Sequence, residues 1–330
     1  MGRDFVPAVQ ISLEYDRMPA VTKRRRRGRG NGVGVMTGVS ILVPTLDEEA
    51  NIEACLAGVA WSDDIVVLDS HSGDRTVEIA GTLGARVVTR RFDDWSSHQN
   101  WALETIGFRH PWVFHLDADE RMGPDMAAEV RDAAASSPAE VAAYYCGRRN
   151  HFMGRLIRHA MPPVPVLRLF RPARVRFRRL VHPVPVVDGR CGHLTGLLDH
   201  HNTSKGLAEW VRRHNRYSDL EAAEALLAAS DDRWAGASLA SGDPVERRRA
   251  LKALSVRVPC RPLVKFLYMY LGQRGFLDGG AGFAYCVLQA FYEYMIVLKE
   301  AELRLAGGRP AADTVRAAAP PPHRRPGQGA

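Results

Sequence analysis

Between residues 38 and 146, short apolar runs alternate with stretches of helical period. SILVP (40–44), IVVLD (65–69), ARVVTR (85–90), WVFHLD (112–117) and VAAYYC (141–146) have the length and β-branched content of strands. DEEANIEACLAGV, after the first run, sets Ile52, Leu56 and Val59 at helical spacing. SGDRTVEIAGTLG offers Ser72 or Asp74 as cap and Gly84 as stop. SSHQNWALETIG puts Trp101 and Thr105 one turn apart, and PDMAAEVRDAAAS opens with Pro124 in its first turn. Strands alternating with helices of this length predict an α/β fold, with a doubly wound and largely parallel sheet.

Ligands of such sheets bind beyond the carboxyl ends of the strands. The chain places acid there: Asp47, Glu48 and Glu49 after Pro44-Thr45, Asp69 after the second run, and Asp117 and Asp119 after the fourth. No glycine-rich phosphate loop follows the first strand, so the pocket expects a cation, or the hydroxyls and imide N–H of a nucleoside. Asp117 and Asp119 are two apart. If the pleat persisted, both would point to one face as hard oxygen ligands suited to Mg²⁺ or Mn²⁺ and a bridging diphosphate.

Charge sharpens the domain picture. The chain has 330 residues and a net charge of +8. Residues 1–35 contribute +5 and residues 307–330 contribute +3, so the body between them is neutral. That distribution argues against a nucleic-acid-binding face. It predicts a disordered basic extension over 1–37 and a disordered tail over 307–330, with an anionic membrane surface as their available partner. Five scattered cysteines without a CxxC pair, and no secretory leader, predict a cytoplasmic location, with the inner face of the cytoplasmic membrane as an option. Residues 261–304 hold two aromatic-rich stretches around a glycine-rich turn, LDGGAG, flanked by Lys265, Arg274 and Lys299. They read as a helical pair packed on the catalytic domain or as an interfacial element.

Several segments resemble family 2 glycosyltransferases of the GT-A fold, and more narrowly the bacterial lipopolysaccharide-core β-glucosyltransferase (WaaE-type) branch. They are SILVPTLDEEANIEACL (40–56), IVVLDSHSGDRTVEIAGTLGARVV (65–88), HQNWALE (98–104), WVFHLDADERM (112–122), RLFRP (168–172), VHPVPVVDGRCGHL (181–194) and HNTSKGLAEWVRRHNRYSDLEA (201–222). The resemblance spans about residues 38–305. It implies a GT-A nucleotide-sugar-binding catalytic domain over 38–200 and a helical, acceptor- and membrane-proximal region over 201–306. It implies that Thr45 and Glu49 line the nucleoside pocket, that Asp69 bonds the base, and that Asp117 contacts ribose or metal. Asp119 is then the principal metal ligand, with His201 near metal or diphosphate, and Arg168 and Arg171 reach phosphate or acceptor.

The implied reaction is an inverting, metal-dependent transfer of sugar from a nucleoside-diphosphate donor, a UDP-sugar by resemblance, to a hydroxyl of a cell-envelope glycan or glycolipid. Relatives carry His-Glu where this chain has His182-Pro183. Proline cannot serve as base, which leaves His182, Asp188 or Glu120. Pro183 also keeps open a non-catalytic nucleotide-sugar-binding descendant. A nucleotidyltransferase of similar topology would need a Gly- and Arg-bearing loop where VPTLDEE stands, and a phosphatase with Asp-x-Asp would carry it on the first strand.

Overall fold

The computed structural model describes residues 38–178, 184–229 and 260–306. They fall into two compact units: residues 38–151 with 162–204, and residues 152–161 with 205–229 and 260–306. The expected extensions 1–37 and 307–330 lie outside the described residues, as do His182 and Pro183.

In chain order the elements begin β1 (Val39–Thr45), α1 (Ile52–Ala57), β2 (Ile65–Asp69), α2 (Thr76–Thr82), β3 (Arg86–Thr89), α3 (Trp95–Thr105) and β4 (Trp112–His115). They continue β5 (Glu120–Arg121), α4 (Pro124–Ser136), β6 (Val141–Phe152), β7 (Arg155–Ile157), β8 (Val164–Phe170), β9 (Val175–Arg178), β10 (Val184–Val187) and β11 (Arg190–His201). Three helices close the chain: α5 (Leu207–Ala229), α6 (Arg261–Leu267) and α7 (Gly279–Leu305).

The main sheet of the first unit runs β3-β2-β1-β4-β8-β6-β11-β5. The predicted alternation gives its parallel half, β3-β2-β1-β4. The other half is mixed: β8 is antiparallel to both β4 and β6, β11 is parallel to β6, and β5 is antiparallel to β11. Strand β1 is buried on both faces, as a doubly wound core strand must be. Its Val39, Ile41 and Val43 join Ile52 and Leu56 of α1 and Met126 and Val130 of α4. Leu42 faces the other way, with Val66, Leu68 and the Ala102 and Leu103 pair of α3. Asp94 caps α3 through Ser97 N–H (2.9 Å). The chain leaves α2 through Gly84, whose φ of +81° suits glycine.

The second unit has its own apolar centre of Phe152, Ile157, Ala160, Met269, Tyr285 and Cys286. The Asp278 carboxylate ties it together by accepting from the N–H groups of Arg158 (3.1 Å), His159 (2.9 Å) and Ala160 (2.8 Å). LDGGAG is not a turn between two stretches: α7 begins inside it, at Gly279. A Cβ on Gly282 would stand 2.2 Å from Gly275 O, so glycine lets this first turn lie against the preceding 3₁₀ segment.

At the amino end of the parallel half, Asp64 is 2% exposed and accepts from Ser40 Oγ (2.5 Å), Arg109 N–H (2.8 Å) and Arg86 Nη2 (3.2 Å). Burial alone would raise its pKa, but these donors outweigh burial and hold it below the usual carboxylate range. Asp64→Ala is expected to cost about 2–3 kcal/mol in urea unfolding at pH 7, because buried donors lose their acceptor. A depressed pKa stabilises above the ordinary carboxylate value of about 4. The difference between wild type and variant is therefore expected to vanish as pH falls through the folded-state pKa, which urea titrations in acid would read.

Candidate functional site

The carboxyl ends of β1 and β2 are held together by side chains. Thr45 and Asp69 are register partners, and Thr45 Oγ1 donates to Asp69 Oδ1 (3.1 Å). Asp69 is 1% exposed. Its Oδ1 also accepts from Ser72 Oγ (2.5 Å), and its Oδ2 accepts from Ser72 N–H (2.9 Å). The two loops then exchange bonds: Asp47 N–H to Ser72 Oγ (2.9 Å), Gly73 N–H to Asp47 Oδ1 (2.7 Å), Glu49 N–H to Asp74 Oδ2 (3.0 Å) and Arg75 N–H to Glu49 Oε2 (3.0 Å). Glu49 is exposed and spends its carboxylate on this stitching. Asp74 also accepts from Thr76 N–H (3.0 Å) at the start of α2.

The exit of β4 departs from the expected pleat. The strand ends at His115, and Glu120 N–H returns to Asp117 O (2.9 Å), closing a turn. Asp117 and Asp119 therefore meet different partners. Arg168 on β8, 5% exposed, places Nη2 at 2.5 Å from both Asp117 Oδ2 and Glu120 Oε1. Arg148 on β6 adds a second cation, 3.9 Å from Asp117 and 3.7 Å from Glu120. Burial alone would raise the Asp117 carboxyl, but Arg168 together with His115 and Arg148 outweighs it and holds Asp117 low. For the wholly buried Glu120, burial wins over Arg168 and raises the carboxyl. Arg168 Nη1 also donates to His115 Nδ1 (2.9 Å), and burial together with that guanidinium pushes His115 down to about 4, keeping it neutral.

Asp119 turns toward β11. Its Oδ2 lies 3.2 Å from His200 Nε2, and His200 Nδ1 lies 2.7 Å from Asn150 Oδ1. Alternation along β11 sends His201 to the opposite face, where its ring stacks on His151 at 4.6 Å. His201 reaches Asp119 through the backbone, its N–H donating to Asp119 O (2.8 Å). His151 in turn sits 2.7 Å from Asp199, which also pairs with Arg149.

The remaining predicted residues separate. Because β8 is antiparallel to β4, with Phe114 opposite Leu169, Arg168 lies at the carboxyl end of β4 and Arg171 at its amino end. Arg171 covers the Trp112 ring at 4.3 Å. It is not beside the carboxylates. Asp188 is exposed just before β11, whose Arg190 pairs with Val141. His200 pairs with Asn150 at the other end, on the order of 30 Å away at the usual strand rise. Arg168 and Glu120 are turned inward and engage each other. Ser72, Arg148, Asn150 and His200 are the site residues that local sequence reasoning missed. Only His200 carried a signal, through its adjacency to His201.

Among the described residues, no group of three or more His, Cys, Asp or Glu side chains converges as a metal cage. Magnesium commonly uses only one or two carboxylates and takes its remaining oxygens from phosphate and water. Asp119, two residues from the anchored Asp117, is the residue here that could supply a hard oxygen to a set of that smaller kind.

Removing the central cation leaves the buried Glu120 and the partly exposed Asp117 without their main partner. Arg168→Met is expected to lower stability by about 3–5 kcal/mol in thermal or urea unfolding. Arg168→Met combined with Glu120→Gln is expected to recover part of that loss, since one of the stranded charges is gone.

Comparison with known proteins bears on this geometry. A glycosyltransferase of Rickettsia bellii is 34% identical over 99 residues, which cover 30% of this chain and 33% of that protein. The lipopolysaccharide core biosynthesis glycosyltransferase LpsC of Rhizobium meliloti is 25% identical over 288 residues, covering 83% of this chain and 96% of LpsC. Among solved structures, a mannosyltransferase of Pyrobaculum calidifontis in complex with GDP-Man and Mn²⁺ aligns over 80% of this chain and 87% of its own, at 15% identity and a TM-score of 0.44. Residues 40–197 match the profile of the family described as Glycosyl transferase family 2, and that stretch contains β1, β2 and β4 with Asp69, Asp117 and Asp119 at their exits. The chain thus carries a family 2 glycosyltransferase domain.

Proposed function

We propose that the chain is a metal-dependent, inverting glycosyltransferase. It moves a sugar from a nucleoside-diphosphate donor, a UDP-sugar as first choice, to a hydroxyl of a cell-envelope glycan or glycolipid. One observation carries the reading: β2 and β4 flank β1 in parallel, and their carboxyl ends bring Asp69 on one side and the Asp117–Asp119 turn on the other. A crevice beyond parallel strands, lined by acid, suits a nucleoside and a metal-bridged diphosphate. The name of LpsC, lipopolysaccharide core biosynthesis, supports an envelope glycan as acceptor.

In this proposal Asp69 recognises the base. Its Oδ2 accepts one bond from Ser72 and keeps a lone pair for an imide N–H. Asp119 holds Mg²⁺ or Mn²⁺, which supplies positive charge to the departing diphosphate when bound. Arg168 keeps Asp117 ionised and fixed, so the turn presents Asp119 without needing to reorganise. Glu120 is consumed by Arg168, and Asp188 lies at the far end of the sheet. His182 is therefore the proposed base that takes the acceptor proton, although it stands outside the described residues.

Calorimetric titration with UDP, GDP, CMP and dTDP, with and without Mn²⁺, tests the donor site. Metal-dependent binding of one nucleotide is expected, and none at all would end the transferase reading. Asp119→Asn is expected to lower kcat/KM by about 100-fold, worth about 2.7 kcal/mol of transition-state stabilisation, and full activity at saturating metal would refute its role. His182→Ala is expected to reduce kcat by about 100-fold or more while donor affinity persists, and an unchanged kcat would move the base elsewhere. Donor binding with no transfer and no donor hydrolysis in the wild type would identify a non-catalytic descendant, as Pro183 allows.

A further inference from the structure

The second unit turns an apolar surface outward. Every exposed residue from 260 to 301 is apolar, aromatic, glycine or cysteine, with the sole exception of Arg274. On α7 the exposed stripe is Phe283, Val287, Phe291, Tyr294 and Leu298, three or four apart, as one helical face requires. Leu263 and Leu267 of α6 continue it to Leu271. Ring contacts join the two parts, with Tyr270 at 5.6 Å from Phe283 and 6.2 Å from Phe276. Contiguous exposed apolar surface on this scale marks an interaction face.

The opposite face of α7 is polar and engaged. Arg261 pairs with Glu293 and Glu300, Lys299 pairs with Asp219 (2.6 Å), and Tyr292 donates to Glu221 (2.7 Å). The stretch 275–305 has 31 residues and contains an 18-residue window of mean hydropathy 1.4, enough to cross a bilayer by length and composition alone. Spanning would draw Glu293 and Glu300, with their α6 partner Arg261, and Lys299, with its α5 partner Asp219, toward hydrocarbon. Charges there are costly, whereas lying flat leaves every one of these pairs in place.

We propose that this face docks on an anionic lipid bilayer, with the α6–α7 stripe in the headgroup–acyl boundary and Arg274 on lipid phosphate. Charge decides between occupants. Between residues 260 and 301 the face carries one exposed cation and no exposed carboxylate; the exposed Glu302 lies in the last turns of α7, far along the helix from Arg274 and beside the exposed Arg304, so a second copy of the same face offers Arg274 little negative charge. An anionic headgroup supplies it. The chain after residue 306 adds four arginines against one aspartate, the same sign of charge at the end of the same helix. Tyr268 and Tyr294, about half exposed, present the amphipathic rings favoured at a membrane interface.

The test is flotation of the full chain with vesicles of pure phosphatidylcholine and of phosphatidylcholine with phosphatidylglycerol. Binding is expected with the anionic vesicles. Leu271→Glu combined with Phe276→Glu is expected to weaken it by about tenfold or more. Arg274→Glu is expected to weaken anionic binding while leaving any neutral-vesicle binding unchanged. All these positions are exposed, and far-UV circular dichroism checks that each variant is folded. Absence of vesicle binding overturns the proposal, as does binding that both variants retain, which would assign it to the basic tails. Sedimentation velocity showing a dimer that Leu271→Glu/Phe276→Glu dissolves would give the face to a second copy, and resistance to carbonate extraction would make α7 a span. Vesicle binding reads this face and nucleotide titration reads the donor site, so either reading can fail without the other.

Discussion

The guanidinium of Arg168 is the cation on which the carboxyl end of the central sheet depends. Asp117 and Glu120 are brought together by a turn of four residues, in surroundings where neither would stay ionised unaided. Arg168 reaches both from a strand 48 residues or more away in sequence. It can do so because β8 runs antiparallel to β4 and so delivers its middle, not its end, to the β4 exit. Burial, helped by the same cation, keeps His115 neutral beneath it. A comparable pairing at the β3 exit sets Arg90 Nη1 2.8 Å from His98 Nδ1, and burial with that arginine pushes His98 down to about 4. Both rings are thus held as neutral acceptors, while the carboxylates carry the site's negative charge.

This arrangement divides the labour within one Asp-x-Asp. Asp117 is anchored by a buried arginine and Asp119 faces a histidine that is itself held by Asn150. The turn between them makes the difference. A continued strand would have given the two aspartates the same environment, and therefore mutual repulsion at close range. Separate partners give the two carboxylates different surroundings, an arginine for Asp117 and a histidine for Asp119.

The parallel half of the sheet was legible because its information is local. Apolar runs of strand length, helical spacing between them, Pro124 at a helix start and Gly84 at a stop are all read within a few residues of one another. The strand-end acids were legible for the same reason, since a parallel sheet sorts its carboxyl ends to one side. The second half was not, because its meaning lies in pairing. Nothing near Arg168 says that it opposes the β4 exit and Arg171 does not; only the antiparallel register does. His200 and His201 differ by one step of strand alternation, which neighbouring residues cannot phase until the strand and its partner are known. Glu120 looked available as a base because its acidity is visible in the sequence while its burial is not.

The second unit is discontinuous: residues 152–161 belong with 205–229 and 260–306, held by the three N–H bonds to Asp278. A chain built this way has no single seam. Cutting after residue 204 would leave 152–161 behind with the sheet unit, with Phe152, Ile157 and Ala160 stripped of Met269, Tyr285 and Cys286. A recombination event that exchanged the C-terminal helices alone would face the same mismatch. The helical unit and the sheet unit are therefore expected to be inherited as one cassette, and diversity in the helical unit of such a chain has to arise by substitution in place.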